Sequence, residues 1–451
     1  MRFAIIGAGL AGLTAAYEIY KADPTAQIDV LEAGERIGGK LFTVPFASGP
    51  TDIGAEAFLA ARSDAVEFFT ELGLADSLVS PSAAKSQYFA GGALHAFPAG
   101  GVMGIPSNPP SNPPAAQDTP FDWAPGQDIS VGALVRRQYG DEIVDTVVSS
   151  LLGGVYSSTA DDLGVRASVP ALAAALDQLA EAGEQVTLSA AVKAVEAQRE
   201  AAKTTSETRP VFQTFKGGYA ELYEALAEQC GADIHLDSFV SAITKDGEGF
   251  AIKGGGEGTY DKVILAVPAP TAAVLLRDLA PAAAPHLRAI KLASSAVVGM
   301  RFDSSEGLPD NSGVLVAVNE PGITAKAFTF SSKKWPHLEA RGGALVRASF
   351  GRLGDEASAR MDEDLLVDAA LDDLLTITGF DGRAAGLGEI FVQRWFGGLP
   401  AYGVDHIATV SAARAEIAAV PGVEAIGAWA GGVGVPAVIA DTQAAVHRLL
   451  G

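Results

Sequence analysis

Residues 5–12 read IIGAGLAG, and Glu32 closes a second apolar run, IDVLEA, twenty residues after Gly12. That spacing commits the N-terminus to a strand, glycine turn, helix and second strand built around a dinucleotide. Residues 2–6 form the short first strand. Gly7 provides the tight bend, Gly9 a bare backbone beside a pyrophosphate, and Gly12 close packing of helix on strand. The helix spans residues 10–20, so the N–H groups of Leu10, Ala11 and Gly12 and the positive end of its dipole face the phosphates. Glu32, followed by Ala33, is placed to accept from both ribose hydroxyls, and its charge repels a 2′-phosphate. Glycine turns also arise for steric reasons alone, but the strand before, the helix after and the acid at this distance weigh against that reading.

The next residues separate FAD from NAD. Residues 33–40, AGERIGGK, make a second glycine turn that returns Arg36 toward the phosphates and ends in Gly39 and Lys40. NAD dehydrogenases generally continue into a further αβ unit, whereas this chain runs through GPTDIGAEAF at 49–58, with Gly54, Ala55 and Glu56. Together these residues resemble the FAD-binding start of the amine oxidase and protoporphyrinogen oxidase superfamily. Most amine oxidases carry arginine at the position of Lys40, so this departure leans toward the porphyrinogen branch. Near the C-terminus, residues 427–437 read GAWAGGVGVPA and lead into a helix. Gly427, Gly434, Val435 and Pro436 present its N-terminus to a flavin, with proline in the first turn, where its missing N–H costs nothing. A strand at 238–244 brings in Val240, the position that contacts adenine in this superfamily.

Three cofactor-like segments separated by long insertions imply an α/β fold. The expectation is a discontinuous Rossmann-like FAD-binding domain of glutathione-reductase type (1–60, 212–268 and 408–451), with a helical subdomain (61–168) and a mixed-sheet substrate-binding domain (169–211 and 269–407). Strands are expected at 296–302, 313–318, 324–331 and 344–350, and a helix at 363–378. The proline-rich stretch 98–125 reads as a surface loop or lid. A net charge of −22 argues against nucleic acid and anionic membranes. The single cysteine, Cys230, excludes an intramolecular disulfide and fits a cytoplasmic enzyme. The six histidines show no metal-ligand spacing, and no apolar run is long enough to span a bilayer.

Five further segments resemble, in order, the porphyrinogen oxidases, above all the soluble coproporphyrinogen-oxidising members of Gram-positive bacteria. They are LHAFPAGGVMGIP at 94–106, LVRRQYGDEIVDTVVSSLLGGVY at 134–156, FKGGYAEL at 215–222, FTFSSKKWP at 328–336 and RWFGGLPAY at 394–402. The resemblance implies an oxygen-dependent, six-electron oxidation of coproporphyrinogen III on one noncovalent FAD, with transient contact to the next heme-pathway enzyme. Protoporphyrinogen IX oxidase, a flavin amine oxidase and a non-catalytic binding protein of the same fold are the alternatives. Because pyrrole nitrogens relay protons, no dedicated base is expected. Propionate-bearing substrates on so acidic a chain call for cations, with Arg62, Arg136, Arg137, Lys333 and Lys334 as candidates. Trp395, Phe396 and Tyr402 either line the flavin and substrate pocket or fill the core.

Overall fold

The segments RFAII, QIDVL and KVIL are short and largely apolar, as strands covered on both faces must be. In the computed structural model, which describes residues 1–109, 118–205 and 210–451, they become the centre of a five-stranded parallel sheet. Its order is Asp233–His235, Gln27–Leu31, Arg2–Ile6, Lys262–Leu265, Val423–Ala425. Side chains alternate along each strand, so Arg2–Ile6 feeds two cores. Phe3 and Ile5 pack under the helices Leu10–Ala22, Ala220–Gln229 and Val435–Leu450, against Leu13, Leu226 and Ile439. Ala4 and Ile6 point the other way, toward Phe250, Tyr260, Leu276 and Trp429. This unit comprises Met1–Ser80, Pro210–Lys291 and Ala408–Gly451.

The second unit comprises Pro81–Arg209 and Leu292–Ile407. Its seven-stranded sheet runs Leu387–Pro400, Leu292–Phe302, Ala344–Phe350, Ala327–Thr329, Gly313–Val316, Gln87–Ala90, Ala93–Ala96. Neighbours are antiparallel except Gly313–Val316 and Gln87–Ala90, so the sheet is mixed. Helix Glu363–Thr378 closes one face, setting Leu366, Ala370 and Leu374 on Val298, Met300 and Phe350. The helices Val131–Tyr139, Ser149–Tyr156 and Pro170–Glu181 lie in the same unit, with a π-helical turn at Val144–Val148.

Several boundaries differ from the sequence reading. Residues 61–80 and 269–291 pack with the first unit, because Phe68, Phe69 and Leu72 join one of its cores and Ala272, Leu276 and Leu287 the other. The stretch expected to be helical contains the hairpin Gln87–Ala90 and Ala93–Ala96, turned by Gly91 and Gly92 at φ 60° and 75°. The strand that follows Val240 begins at Ala242 rather than 238. Gly254, at φ 99°, ends the partner strand at Lys253, so pairing starts with Ala242 opposite Lys253. Residues 110–117 of the proline-rich stretch lie outside the described residues. Among the described residues no helix is long and apolar enough to cross a membrane, and no acidic, histidine or cysteine cluster is fit for a metal.

Candidate cofactor-binding site

The cradle in the first unit is built by backbones that approach too closely for side chains. Gly7, at φ 105°, would place a Cβ 2.6 Å from the Ala266 carbonyl oxygen, and Gly12 would place one 1.9 Å from that of Gly7. Glycine at both positions lets Leu10–Ala22 start against the end of the first strand. Gly9 caps this helix with no side-chain hydrogen bond, while Leu10 and Ala11 bury their side chains. The N–H groups of the first turn are therefore uncapped and free to bind an anion.

Glu32 braces the same turn. Its Oε2 accepts from Ala8 N and its Oε1 from Gly34 N, both at 2.8 Å. A carboxylate has about four acceptor positions, which leaves capacity for ribose hydroxyls. Ser238 N donates to the Glu32 carbonyl at 2.7 Å, which brings the loop carrying the buried Val240 to this end of the cradle. Ala33, next along, is exposed.

The second glycine turn lies against the first. A Cβ on Gly39 would fall 2.9 Å from Gly9 Cα, and Gly38 N donates to the Ala8 carbonyl at 2.8 Å. Arg36 donates to the carbonyls of Ile37 (3.0 Å), Leu41 (3.3 Å) and Gly39 (2.7 Å), and its guanidinium stacks 3.8 Å from the Phe42 ring centroid. Its charge thus organises the turn itself, a role not read from the sequence. Gly54 backs onto this turn, for a Cβ there would meet the Lys40 carbonyl oxygen at 2.1 Å, and Ala55 N donates to that oxygen at 3.2 Å. The buried Tyr219 hydroxyl is held well above the ordinary phenol range by burial first, then by the carboxylates of Asp52 and Glu56.

At the C-terminal end, Gly427 at φ 133° starts a short turn, Ala428–Gly431, whose Trp429 Nε1 donates to the Val267 carbonyl at 3.2 Å. Gly434 caps Val435–Leu450 without a side-chain hydrogen bond, and Pro436 lies in the first turn. Val435–Leu450 packs on Leu10–Ala22. One unit therefore offers two uncapped helix N-termini, bare glycine backbone and a carboxylate, a donor and acceptor set that suits an anionic dinucleotide carrying ribose.

With that geometry in place, the match of residues 10–406 to the flavin-containing amine oxidoreductase family model is decisive. The chain belongs to the flavin-containing amine oxidoreductase family. This flavin-containing oxidoreductase is 35% identical to a Mycobacterium bovis protein named coproporphyrinogen III oxidase, over 99% of this chain and 97% of that one. It is 31% identical to bovine protoporphyrinogen oxidase, over 37% of this chain and 38% of the relative. Its fold matches an Exiguobacterium crystal structure, provisionally named a protoporphyrinogen oxidase, with a TM-score of 0.83 and 27% identity, over 99% and 98% of the two chains.

The cations expected to meet substrate are mostly engaged already in this oxidoreductase. Arg62 pairs with Asp64 at the exposed start of helix Ser63–Glu71. Arg136 is held by Asp141, Asp145 and Asp161 together. Lys333 Nζ lies 2.6 Å from Asp310, and Lys334 sits 5.1 Å from the Trp335 ring centroid. Arg137 is exposed, 6.0 Å from the Phe121 ring centroid. Tyr402 is buried and stacked 4.2 Å from His406. Trp395 stands half-buried in the second unit, on Leu387–Pro400 opposite Ser295. The sequence reading passed over Lys326, a fully enclosed ammonium whose only signal was a lone cation in an apolar strand, AKAF.

Proposed function

We propose that the chain is a coproporphyrinogen III oxidase that holds one noncovalent FAD in the cradle of the first unit and uses O2 as electron acceptor. The observation that carries the reading is the whole-length likeness, at 35% identity, to a relative of that name, set against 27% identity to the Exiguobacterium structure and a likeness to bovine protoporphyrinogen oxidase that covers little more than a third of the chain. Residues of the first unit are assigned to FAD and the second unit to the porphyrinogen. A cytoplasmic location and transient contact with the next heme-pathway enzyme belong to the same reading.

Bound FAD supplies the hydride acceptor and its reoxidation by oxygen. The chain's own residues bind and orient. With FAD bound, Glu32 would accept from ribose, the first-turn N–H groups at Leu10–Gly12 would meet phosphate, and those at the start of Val435–Leu450 would stabilise added negative charge. Cys230 is buried and its thiol is pushed up by burial, so it offers no thiolate for a covalent flavin bond. Over the full reaction the porphyrinogen loses six hydrogens, and three equivalents of oxygen become three of hydrogen peroxide.

The test uses coproporphyrinogen III and protoporphyrinogen IX prepared anaerobically, with porphyrin fluorescence and peroxide followed on admitting air. The expected result is a higher kcat/KM for coproporphyrinogen III, with all yellow colour released by acid precipitation. Faster turnover of protoporphyrinogen IX at equal, detergent-matched concentration overturns the assignment. Flavin retained in the pellet overturns the noncovalent link.

A further inference from the structure

Cations buried in proteins are ordinarily paired with carboxylates. Two cations of the second unit are not. Lys326, 5% exposed at the head of strand Ala327–Thr329, donates to Ser157 Oγ at 2.5 Å and to the Gly351 carbonyl at 2.7 Å. Arg352 donates from a terminal nitrogen to the Val316 carbonyl at 3.2 Å, while its buried Nε has no acceptor. Neither forms an ion pair among the described residues. The carboxylate acting on both is Asp355, which also caps Glu356–Arg360 by accepting from Ser358 N and forms no ion pair with either cation.

A buried ammonium and a partly exposed guanidinium against one carboxylate leave a local excess of positive charge in a chain whose net charge is −22. The backbone around the two cations is well defined. Ser157 sits in the left-handed region at φ 49°, and its carbonyl accepts from Leu353 N at 2.7 Å. Gly153 turns its missing side chain toward Arg352, for a Cβ there would lie 3.7 Å from Nε. Gly154 and Val155, on the same helical turn, are exposed, so the pair lies just beneath the surface.

We propose that Lys326 and Arg352 form a seat for one carboxylate of the substrate, and that this seat favours a porphyrinogen with more propionates. The inference rests on the functional reading above. A carboxylate there accepts from the ammonium proton not used by Ser157 and Gly351 and from the guanidinium edge, both charge-assisted bonds. It also supplies the missing counter-charge. Burial first, then repulsion from Arg352, pull the Lys326 ammonium down to about 7, with Asp355 opposing. The Lys326 share of the seat's charge is therefore present below neutrality and fades as pH rises past it, while the Arg352 guanidinium stays charged.

The decisive comparison is coproporphyrinogen III against its tetramethyl ester, with wild type, Lys326→Met and Lys326→Arg. Methionine fills similar space and relieves the burial of a charge, which offsets the two donated bonds lost at Ser157 and Gly351, so the variant is expected to fold, with flavin absorbance and melting temperature checked and Lys326→Arg as the second variant. Lys326→Met should raise KM for the tetracarboxylate roughly tenfold with kcat within about twofold, leave the ester unchanged, and be partly rescued by arginine. Wild-type KM for the tetracarboxylate should climb as pH passes 7, and that slope should vanish in Lys326→Met. An equal shift for acid and ester, or an unchanged KM, overturns the seat. Sodium propionate that stabilises wild type but not Lys326→Met, with KM unaffected, makes it a free-anion site and overturns the substrate assignment. Wild type inactive on both porphyrinogens defeats the functional reading and the seat with it, whereas activity on both with an equal shift defeats the seat alone.

Discussion

At the scale of one residue, Gly12 shows how little space the cradle leaves. The methyl group of Gly12→Ala would lie 1.9 Å from the Gly7 carbonyl oxygen, a backbone atom fixed by the strand behind it. Neither side can move without separating helix from strand, so the substitution should cost at least about 1–3 kcal/mol. It should also displace the uncapped N–H groups from the phosphates. We expect a lower melting temperature and a more than tenfold weaker FAD dissociation constant, measured by fluorescence titration of the apoprotein. A variant of wild-type stability and affinity would mean that the turn adjusts freely. Such glycines were legible in the sequence because their spacing is a steric requirement in itself. Lys326 was not legible. Its acceptors, Ser157 and Gly351, lie 169 and 25 residues away, and only the folded sheet brings them together. For Arg36 the motif was readable but the role was not, because donation to three neighbouring carbonyls depends on the path of the turn.

Among the elements, those with strong local signals were readable and those defined by pairing were not. Glu363–Thr378 has the expected bounds because Asp362 caps it and Gly379, at φ 77°, stops it. The fourteen-residue strand Leu387–Pro400 carries no such punctuation, and the two glycines near its end weaken a strand signal. Its length comes from pairing along Leu292–Phe302, a partner nearly a hundred residues away. The helix Val435–Leu450 joins element to function, since its cap residue Gly434 leaves the N-terminus open. Gly434 has φ −72° and ψ 143°, and a Cβ there meets nothing closer than 3.9 Å, so aspartate fits without strain. Gly434→Asp should stabilise the apoprotein by roughly a few tenths of a kcal/mol through the cap it supplies to the N3 amide, Pro436 having no N–H to offer. The same carboxylate puts negative charge where the cofactor needs positive potential, so FAD affinity should fall and the flavin should become harder to reduce. Opposite changes in apoprotein melting temperature and FAD affinity would support this site, and tighter FAD binding would exclude it.

For the whole molecule, the interrupted order of the first unit was readable because each of its three segments carries its own glycine or strand signal. The division between units was less so, because segments 61–80 and 269–291 declare their partners only through burial. Charge acts at this scale too. The net charge is −22, and Arg62, Arg136 and Lys333 are already matched by carboxylates. A substrate with four carboxylates therefore approaches a molecule that repels it at long range, more strongly than it repels a substrate with two. Salt screens interactions beyond about 8–10 Å at physiological strength and hardly touches a buried contact. Raising sodium chloride from roughly 10 mM to 150 mM, about a fourfold shortening of the screening length, should thus increase kcat/KM for coproporphyrinogen III. The increase should be larger than for protoporphyrinogen IX and should leave kcat nearly constant, since only the encounter is affected. Potassium glutamate at equal ionic strength separates screening from chloride binding. A kcat/KM that falls with salt for the tetra-anion would show that exposed cations, rather than a seat beneath the surface, guide the substrate in, and would return Arg62 and Lys334 to the centre of recognition.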